Sequence, residues 1–580
     1  MTRTKIVCTI GPAVNSLENL IGLIGAGMNV ARVNFSHGTQ EEHLQTINRL
    51  KEARETARVP LAIMLDMKGP KIRVGTVAGN AIQVQHGLRL RLVAIAKEAS
   101  DVPVHPFEAL SSVQSGAKIL FDDGYIISKV VERTNEEILV EIQNSGVLKS
   151  GKGVNIPGVQ INLPAMTEAD LSDLKFGCAQ DIDLVAASFI RSAHHVLAIK
   201  EVLAKEGKPE ILVIAKIEST QGVENFESIV QAADGIMVAR GDLGVEVELA
   251  RVPKLQKMMI RKCLQACKPV ITATQMLESM INNPRPTRAE VSDVANAIYD
   301  GSSAVMLSAE TAIGKYPLET VRSMKEIVRE AEADYDYRHY FEQRSQRDYH
   351  DVSSAVSLAA VKTAYSANAS AIFAFTTSGM TARLVSRLRP EMSIIALTPH
   401  KKVYNQLSVN WGVTPFLSSC NDVNDALEKT IRFALEQKMI SFGDLVVVTS
   451  GAPFGKKGST NMMRVENIGE ILVRGHKGFG SKISGKVSFL LSPEERDPES
   501  LRERIVVILH CDNTFLPALK YAAGVILQNY LGDTASEKYA ALLAKTFEIS
   551  VMSRADGAMS ALQENEEVTL DPQRGLVYRG

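Results

Sequence analysis

Residues 211–244 read ILVIAKIESTQGVENFESIVQAADGIMVARGDLG. An apolar, β-branched run ends in Lys216, Glu218 and Ser219; a helical stretch follows; a second apolar run ends in Arg240, Gly241 and Asp242. Runs that stay apolar without alternating predict strands buried on both faces, and the helix between them makes a parallel βαβ unit. The same pattern recurs in KIVCTIGP (5–12), MNVARVNFSHG (28–38), LAIMLDMKG (61–69), DLVAASFIR (183–191), PVITATQML (269–277) and SAVMLSAET (303–311), which brings the strands to eight. Eight such units fit a (β/α)8 barrel more readily than an open doubly wound sheet with extra strands. Barrel active sites lie at the carboxyl ends of the strands. Arg32, Asn34, Ser36, Asp66, Lys68, Lys216, Glu218, Arg240, Asp242, Thr274 and Ser308 fall at or just beyond those ends, so they are expected to meet at one mouth.

Outward from the barrel the pattern changes. Residues 70–163 hold short β-type stretches (AIQVQHGLRLRLVAIA, KILFDDGYIISKVVE, EEILVEIQ) and no convincing helix. They predict an all-β lid domain inserted in a βα loop, splitting the barrel into 1–69 and 164–345, with hinges near Pro70 and Pro164. After the polar linker FEQRSQRDYHDVSS, a fresh α/β alternation (AIFAFTTSG, SIIALTPH, VTPFLSS, LVVVTSGAP) predicts a third domain over 346–473. A Gly/Lys-rich connector then leads to an extra α/β domain, 474–580, with its own strands.

The chain has 580 residues, enough for three to five domains at roughly 150 residues each. With 45% hydrophobic and 23% charged residues it reads as a soluble globular protein. Lys and Arg total 65 against 66 Asp and Glu, a formal charge of −1. No whole-protein basic field exists, which argues against a dedicated nucleic-acid binder and means that any anionic ligand is held by locally placed cations. The six cysteines show no zinc or redox spacing and read as buried, reduced thiols. With no secretory h-region and no apolar run long enough for a bilayer, the expectation is a cytoplasmic protein without a membrane partner.

Lys216 and Glu218 sit two apart on a strand, so their side chains share a face. An ammonium beside a carboxylate suits a metal-plus-phosphoryl site; a plain ion pair at a strand end is the alternative. In VARGDLGVE (238–246), Gly241 lets backbone approach a ligand, the turn presents N–H groups to an anion, and Asp242 offers a second oxygen ligand. Taken alone, such a turn is as well explained as a helix cap. Two acids from neighbouring strands favour one divalent ion, Mg2+ or Mn2+. Arg32 supplies a guanidinium for phosphate. Thr274 and Ser308 are hydroxyls that either cap helices or face the metal.

Taken together, KIVCTIGP, ARVNFSHG, MLDMKGPKIR, KGVNIPG, LPAMTEAD, AKIES, VARGDLGVE, ITATQMLESMINNPRPTRAEVSDVANA and AVMLSAETAIGKYP resemble the pyruvate kinase family from residue 5 to about residue 317. The resemblance implies phosphoryl transfer from phosphoenolpyruvate to ADP. It places Lys216 at the transferring phosphoryl group and Glu218 and Asp242 on the divalent metal. It sets the Gly241 and Asp242 amides with Thr274 on the substrate carboxylate, and Arg32 on the phosphate. It puts His37, Lys152 and Arg73 at the nucleotide, and implies either a Thr274–Ser308 relay or Lys216 as the acid that protonates enolpyruvate. Other barrel enzymes that enolise pyruvate on a metal are the competing class, disfavoured by the β lid and Lys152. A non-catalytic homologue is disfavoured by the complete residue set.

One position departs from the family. Many members use K+ held by oxygens corresponding to Asn34, Ser36 and Asp66, with a Glu where this chain has Lys71. An ammonium there is expected to replace the monovalent ion, so activity is expected not to require K+. In TTSGMTARL (376–384), Thr376, Thr377, Ser378 and Thr381 match a loop that binds a phosphorylated activator, with GAPFGKKGSTN (451–461) nearby. Sugar-phosphate and nucleotide effectors are not separable from these residues. The tail resembles the swivelling phosphohistidine domain of phosphoenolpyruvate-utilising enzymes, but Tyr539 falls near the histidine position and no histidine follows His510. An assembly role is therefore expected in place of a phosphocarrier one. The family also implies a homotetramer.

Overall fold

The computed structural model describes residues 2–98, 100–345, 351–456 and 458–579; the expected boundary at 346 lies outside them. The chain forms two compact units, one of Met1–Ser354, Ala374–Ser419 and Gly455–Ser459, the other of Ala355–Phe373, Cys420–Phe454 and Thr460–Gly580.

The first unit holds a closed barrel of eight parallel strands: β1 (Lys5–Ile10), β2 (Val30–Asn34), β3 (Ala62–Asp66), β4 (Leu184–Ala187), β5 (Leu212–Ile217), β6 (Gly235–Ala239), β7 (Val270–Ala273) and β8 (Ala304–Leu307). Each strand pairs with its sequence neighbours, and β8 closes on β1 with Cys8 opposite Leu307. Why the runs are apolar throughout is visible in the alternation. Val7, Val30, Met64, Ala186, Ile214, Met237, Ile271 and Met306 fill the interior, while Ile6, Ala31, Leu65, Val185, Val213, Val238 and Val305 pack outward against the helices. Both sets are buried, so neither face of a strand offers a place for polar side chains until the strand ends.

Local signals set the connections. Thr39 caps helix Gln40–Ala57 in a reciprocal box with Glu42, and Thr167 with Asp170 and Thr287 with Glu290 do the same for helices Glu168–Ala179 and Arg288–Tyr299. Asp170 also accepts from the Gly69 amide at 3.0 Å, tying the chain just before the insertion to the barrel. Gly69 has φ +68°, and a Cβ there would lie 2.8 Å from the Ser188 carbonyl oxygen, so no larger residue fits without displacing the end of β4.

The insertion is a closed barrel of seven short strands, from Ile72–Val74 to Gly153–Asn155, around Leu92, Val102, Ile119, Phe121, Ile138 and Val140. At the opposite end of the catalytic barrel, helix Lys401–Gln406 donates into the start of β4. Lys402 Nζ reaches the Asp181 and Ile182 carbonyls at 2.8 Å each, and Gln406 Nε2 reaches those of Asp183 at 3.1 Å and Glu210 at 2.7 Å.

In the second unit, an eight-stranded sheet gathers the C-terminal strands around the parallel set Ile483–Phe489, Arg504–Ile508, Gly524–Leu527 and Ser550–Ser553. Tyr539, on helix Thr534–Phe547, packs partly buried against the apolar cluster beside that sheet. The last strand reaches back to residues 443–444: Tyr578 crowds Gly443, and Arg574 Nη1 lies 2.7 Å from Asp444 Oδ1.

Candidate active site

Because side chains alternate along a strand, continuing the inward set past Met64, Ile214, Val30, Ala186 and Met306 brings Asp66, Lys216, Glu218, Arg32, Ser188 and Ser308 to the mouth. They meet there. Lys216 Nζ lies 2.6 Å from Ser188 Oγ, 3.1 Å from Asp66 Oδ1 and 3.2 Å from Glu218 Oε1. The other Asp66 oxygen accepts from Arg32 Nε at 2.5 Å, and Arg32 Nη1 reaches Thr9 Oγ1 at 2.9 Å. Glu218 Oε2 accepts from the Phe189 amide at 2.6 Å.

The charges reinforce one another. Burial works to lower the Lys216 pKa, but Asp66 and Glu218 outweigh it and hold the ammonium above its usual range. Burial likewise pushes the Asp66 carboxyl up, and Arg32 with Lys216 more than reverses the effect. Glu218 differs. Burial raises its carboxyl, Lys216 offsets only part, and Asp242 adds repulsion, so the net direction is upward. Glu218 is thus only partly compensated by Lys216, while Asp242 has Lys71 as its own partner.

Around this centre the site residues separate into those gathered and those apart. Gly241 N donates to Thr274 Oγ1 at 2.8 Å, and the Thr274 hydroxyl lies 2.6 Å from the Ala273 carbonyl. Ser308 Oγ is buried without a hydrogen-bond partner among the described residues, while its amide donates to Glu310 Oε2 at 2.6 Å. Lys71 enters the cleft from the inserted barrel; its Nζ lies 3.2 Å from Asp242 Oδ1, 3.5 Å from Asp123 Oδ1 and 5.4 Å from the centre of the Phe189 ring. Its ionic partners are therefore Asp242 and Asp123, and not Asn34, Ser36 or Asp66. Asn34 Oδ1 instead accepts from the Ser36 amide at 3.2 Å. Lys152 pairs with Asp122 at 2.8 Å, Arg73 donates to the Gly151 carbonyl at 3.0 Å, and His37 is exposed. Asn155 Nδ2 of the insertion donates to Glu246 Oε1 of the catalytic barrel at 2.8 Å.

Among the predicted effector residues, Thr376 Oγ1 accepts from the Gly379 amide at 2.9 Å, Thr377 and Ser378 are half-buried, and Thr381 is buried on helix Met380–Ser386. Lys457 of the second loop lies outside the described residues.

Sequence reading missed Ser188, the Phe189 amide, Thr9, Asp123 and Glu310. Ser188 carried a usable signal: it stands two residues after inward-facing Ala186, at the end of its strand. Thr9 carried the same signal, two residues after inward-facing Val7 on β1, whereas the Phe189 amide and Asp123 lie in turns and Glu310 on a short helix beyond a strand end, where a strand pattern gives no direction.

Fold and site together define a (β/α)8-barrel enzyme whose mouth pairs buried cations with carboxylates and is flanked by an inserted β barrel. Two family models match the chain, the pyruvate kinase barrel domain over residues 1–321 and the pyruvate kinase alpha/beta domain over residues 354–466. No family model matches beyond residue 466. A pyruvate kinase of Geobacillus stearothermophilus is 42% identical over all of this chain and 99% of its own length, and one of Staphylococcus aureus strain MRSA252 is 40% identical with the same coverage. A crystal structure of a pyruvate kinase from Cryptosporidium parvum matches with TM-score 0.77 and 36% identity, over 80% of this chain and 96% of that one. The chain belongs to the pyruvate kinase family.

Proposed function

We propose that the protein transfers the phosphoryl group of phosphoenolpyruvate to ADP, giving ATP and pyruvate, at the mouth built on Lys216. The observation that carries this reading is the Lys216 ammonium, buried and kept charged between Asp66 at the carboxyl end of β3 and Glu218 just past the end of β5. Phosphoryl transfer needs positioning and charge neutralisation more than covalent chemistry, and a preorganised buried cation supplies both. Arg32, fixed by Asp66 and Thr9, is the second cation for the phosphoryl oxygens. The Gly241 and Asp242 amides cradle the substrate carboxylate, which takes the Gly241 N–H now given to Thr274 Oγ1, and Thr274 reaches the substrate by turning its O–H away from the Ala273 carbonyl. The buried Ser308 Oγ, unpartnered among the described residues, is suited to a proton path with Thr274 toward the enolpyruvate carbon. Lys152, Arg73 and His37 are the nucleotide side, with the insertion acting as a lid.

Glu218 and Asp242 would hold a divalent ion, Mg2+ or Mn2+. Glu218, buried and only partly compensated by Lys216, and the partly exposed Asp242 offer hard carboxylate oxygens from neighbouring strand ends, a donor set that fits such an ion. An ion held there would supply charge neutralisation for the substrate oxygens.

Activity without K+ belongs to this proposal. Asp66 is already matched by Arg32 and Lys216, and Lys71 adds a further fixed cation to the cleft. So does activation by a phosphorylated metabolite at Thr376, Thr377, Ser378 and Thr381. A thermal-shift series with sugar phosphates and AMP, with Thr377→Glu as the control, tests it; no effector-dependent shift in the wild type counts against it. The proposal includes the four-part domain division, a cytoplasmic homotetramer, and a tail of the swivelling type without a phosphocarrier role. No helix among the described residues is long and apolar enough to cross a membrane. One assay decides the central reading: phosphoenolpyruvate, ADP and Mg2+ with the wild type and Lys216→Met. Turnover by both, or by neither, would refute it.

A further inference from the structure

Thr274 has φ +71° and Gln275 φ +53°, so two consecutive residues with side chains occupy the left-handed region. A β-branched residue is found there only when its surroundings impose it. Here one side chain does most of the imposing. Arg240, the residue after β6, donates from Nη2 to the Thr274 carbonyl at 2.7 Å and the Gln275 carbonyl at 3.2 Å, and from Nε to the Thr274 carbonyl at 3.3 Å. Its Nη1 is gripped by both oxygens of Asp293, at 2.8 and 2.7 Å, on helix Arg288–Tyr299. Nη2 also lies 2.9 Å from Met276 Sδ. The planar fork thus ties the end of β6 to the end of β7, and on the other side of that tie Thr274 Oγ1 sits 2.8 Å from Gly241 N.

We infer that Arg240, braced by Asp293, is a positioning residue for the reaction: it holds Thr274 in the strained conformation that aims its hydroxyl at the Gly241 amide. Arg240 itself touches no reacting group. The inference rests on the proposed roles of Thr274 and Gly241 at the substrate carboxylate. A lysine does not substitute, because one ammonium has no fixed geometry with which to serve two carbonyls and a carboxylate together.

The test uses the full chain and compares wild type, Arg240→Met, Arg240→Lys and Asp293→Asn in steady-state assays with phosphoenolpyruvate, ADP and Mg2+, alongside a crystal structure of Arg240→Met. Wild-type turnover checks the underlying reaction separately from the variants. Arg240→Met is expected to lose about 100-fold in kcat, with KM for ADP within about twofold of wild type. Arg240→Lys is expected to recover less than about a tenth of the lost activity, and Asp293→Asn to fall between. In the crystal structure, Thr274 is expected to relax to negative φ, an outcome readable even if the substrate assignment is wrong. The inference is overturned if Arg240→Met keeps kcat within about threefold of wild type, or if Thr274 stays left-handed with its hydroxyl on Gly241. If Arg240→Met does not fold, Arg240→Lys and Asp293→Asn decide: loss of kcat at constant KM for ADP supports the inference, and wild-type kcat overturns it.

Discussion

Lys71 Nζ, carried by the inserted barrel, lies 3.2 Å from Asp242 Oδ1, carried by the catalytic barrel. The side chain is only 16% exposed and lies against the Phe189 ring and Gly153, so the ammonium is placed by packing as well as by charge. A cation brought by the insertion to a proposed metal ligand ties the charge balance of the cleft to the position of the inserted barrel.

The first prediction concerns K+. In tetramethylammonium buffer the wild type is expected to turn over within about twofold of its rate in K+, because Lys71, Arg32 and Lys216 already supply the fixed positive charge. Lys71→Glu is expected to create a K+ requirement. A many-fold stimulation of the wild type by K+ would remove the basis for this assignment.

Ser188 makes the shortest contact to Lys216, 2.6 Å, and bridges it to Asp66 at 3.3 Å. Ser188→Ala leaves the ammonium with its two carboxylates but without the bond that sets its direction. We expect a stability loss of roughly 1 kcal/mol and a fall in kcat of about tenfold. Unchanged kcat in a folded variant would show that Asp66 and Glu218 suffice to aim Lys216.

Gly69 precedes the insertion with φ +68° and no room for a Cβ against the Ser188 carbonyl. Gly69→Ala is expected to cost about 1–3 kcal/mol, since neither the backbone conformation nor the contact can be kept cheaply. Its kcat should also fall, because relief of the clash moves the same residue that holds Lys216. Denaturant unfolding and steady-state kinetics on one preparation check both. A variant with wild-type stability argues that the end of β4 yields freely.

Lys5 offers a pH test away from the site. Its buried ammonium donates to the Val413 carbonyl at 2.8 Å, and burial, only partly countered by Glu332, lowers its pKa to about 8. A folded pKa below the unfolded value means that this group's contribution to stability is present above the unfolded value and is lost as pH falls through about 8. Lys5→Met is therefore expected to raise stability at pH 7, by roughly 1–3 kcal/mol after the lost hydrogen bond is counted. The gain should shrink as pH climbs from about 8 toward the unfolded value. A pH-independent difference would mean that Lys5 is not desolvated in the folded protein.

Deleting 474–580 removes Arg574 from Asp444 and Tyr578 from Gly443. The expectation is a lower melting temperature with kcat within a few-fold of wild type, since Lys216, Glu218, Asp242 and Thr274 lie in the other compact unit. Loss of turnover in a folded truncation would assign the tail a part in catalysis.

Much of this molecule is legible in one dimension. Eight apolar runs, each ending in polar residues, specify eight strands buried on both faces, because polar side chains are tolerated only where a strand leaves the packed layers. The two-residue alternation even predicts that Asp66, Lys216, Glu218 and Arg32 face inward together. Tertiary structure alone decided who partners whom. That Asp66 serves both Arg32 and Lys216, that Lys71 turns to Asp242, and that Arg240 and Asp293 hold Thr274 left-handed all depend on contacts between segments 34 to 171 residues apart. Periodicity is a local property of the backbone. Charge pairing is set by which strand ends and loops barrel closure brings within a few ångströms, and no run of sequence carries that information by itself.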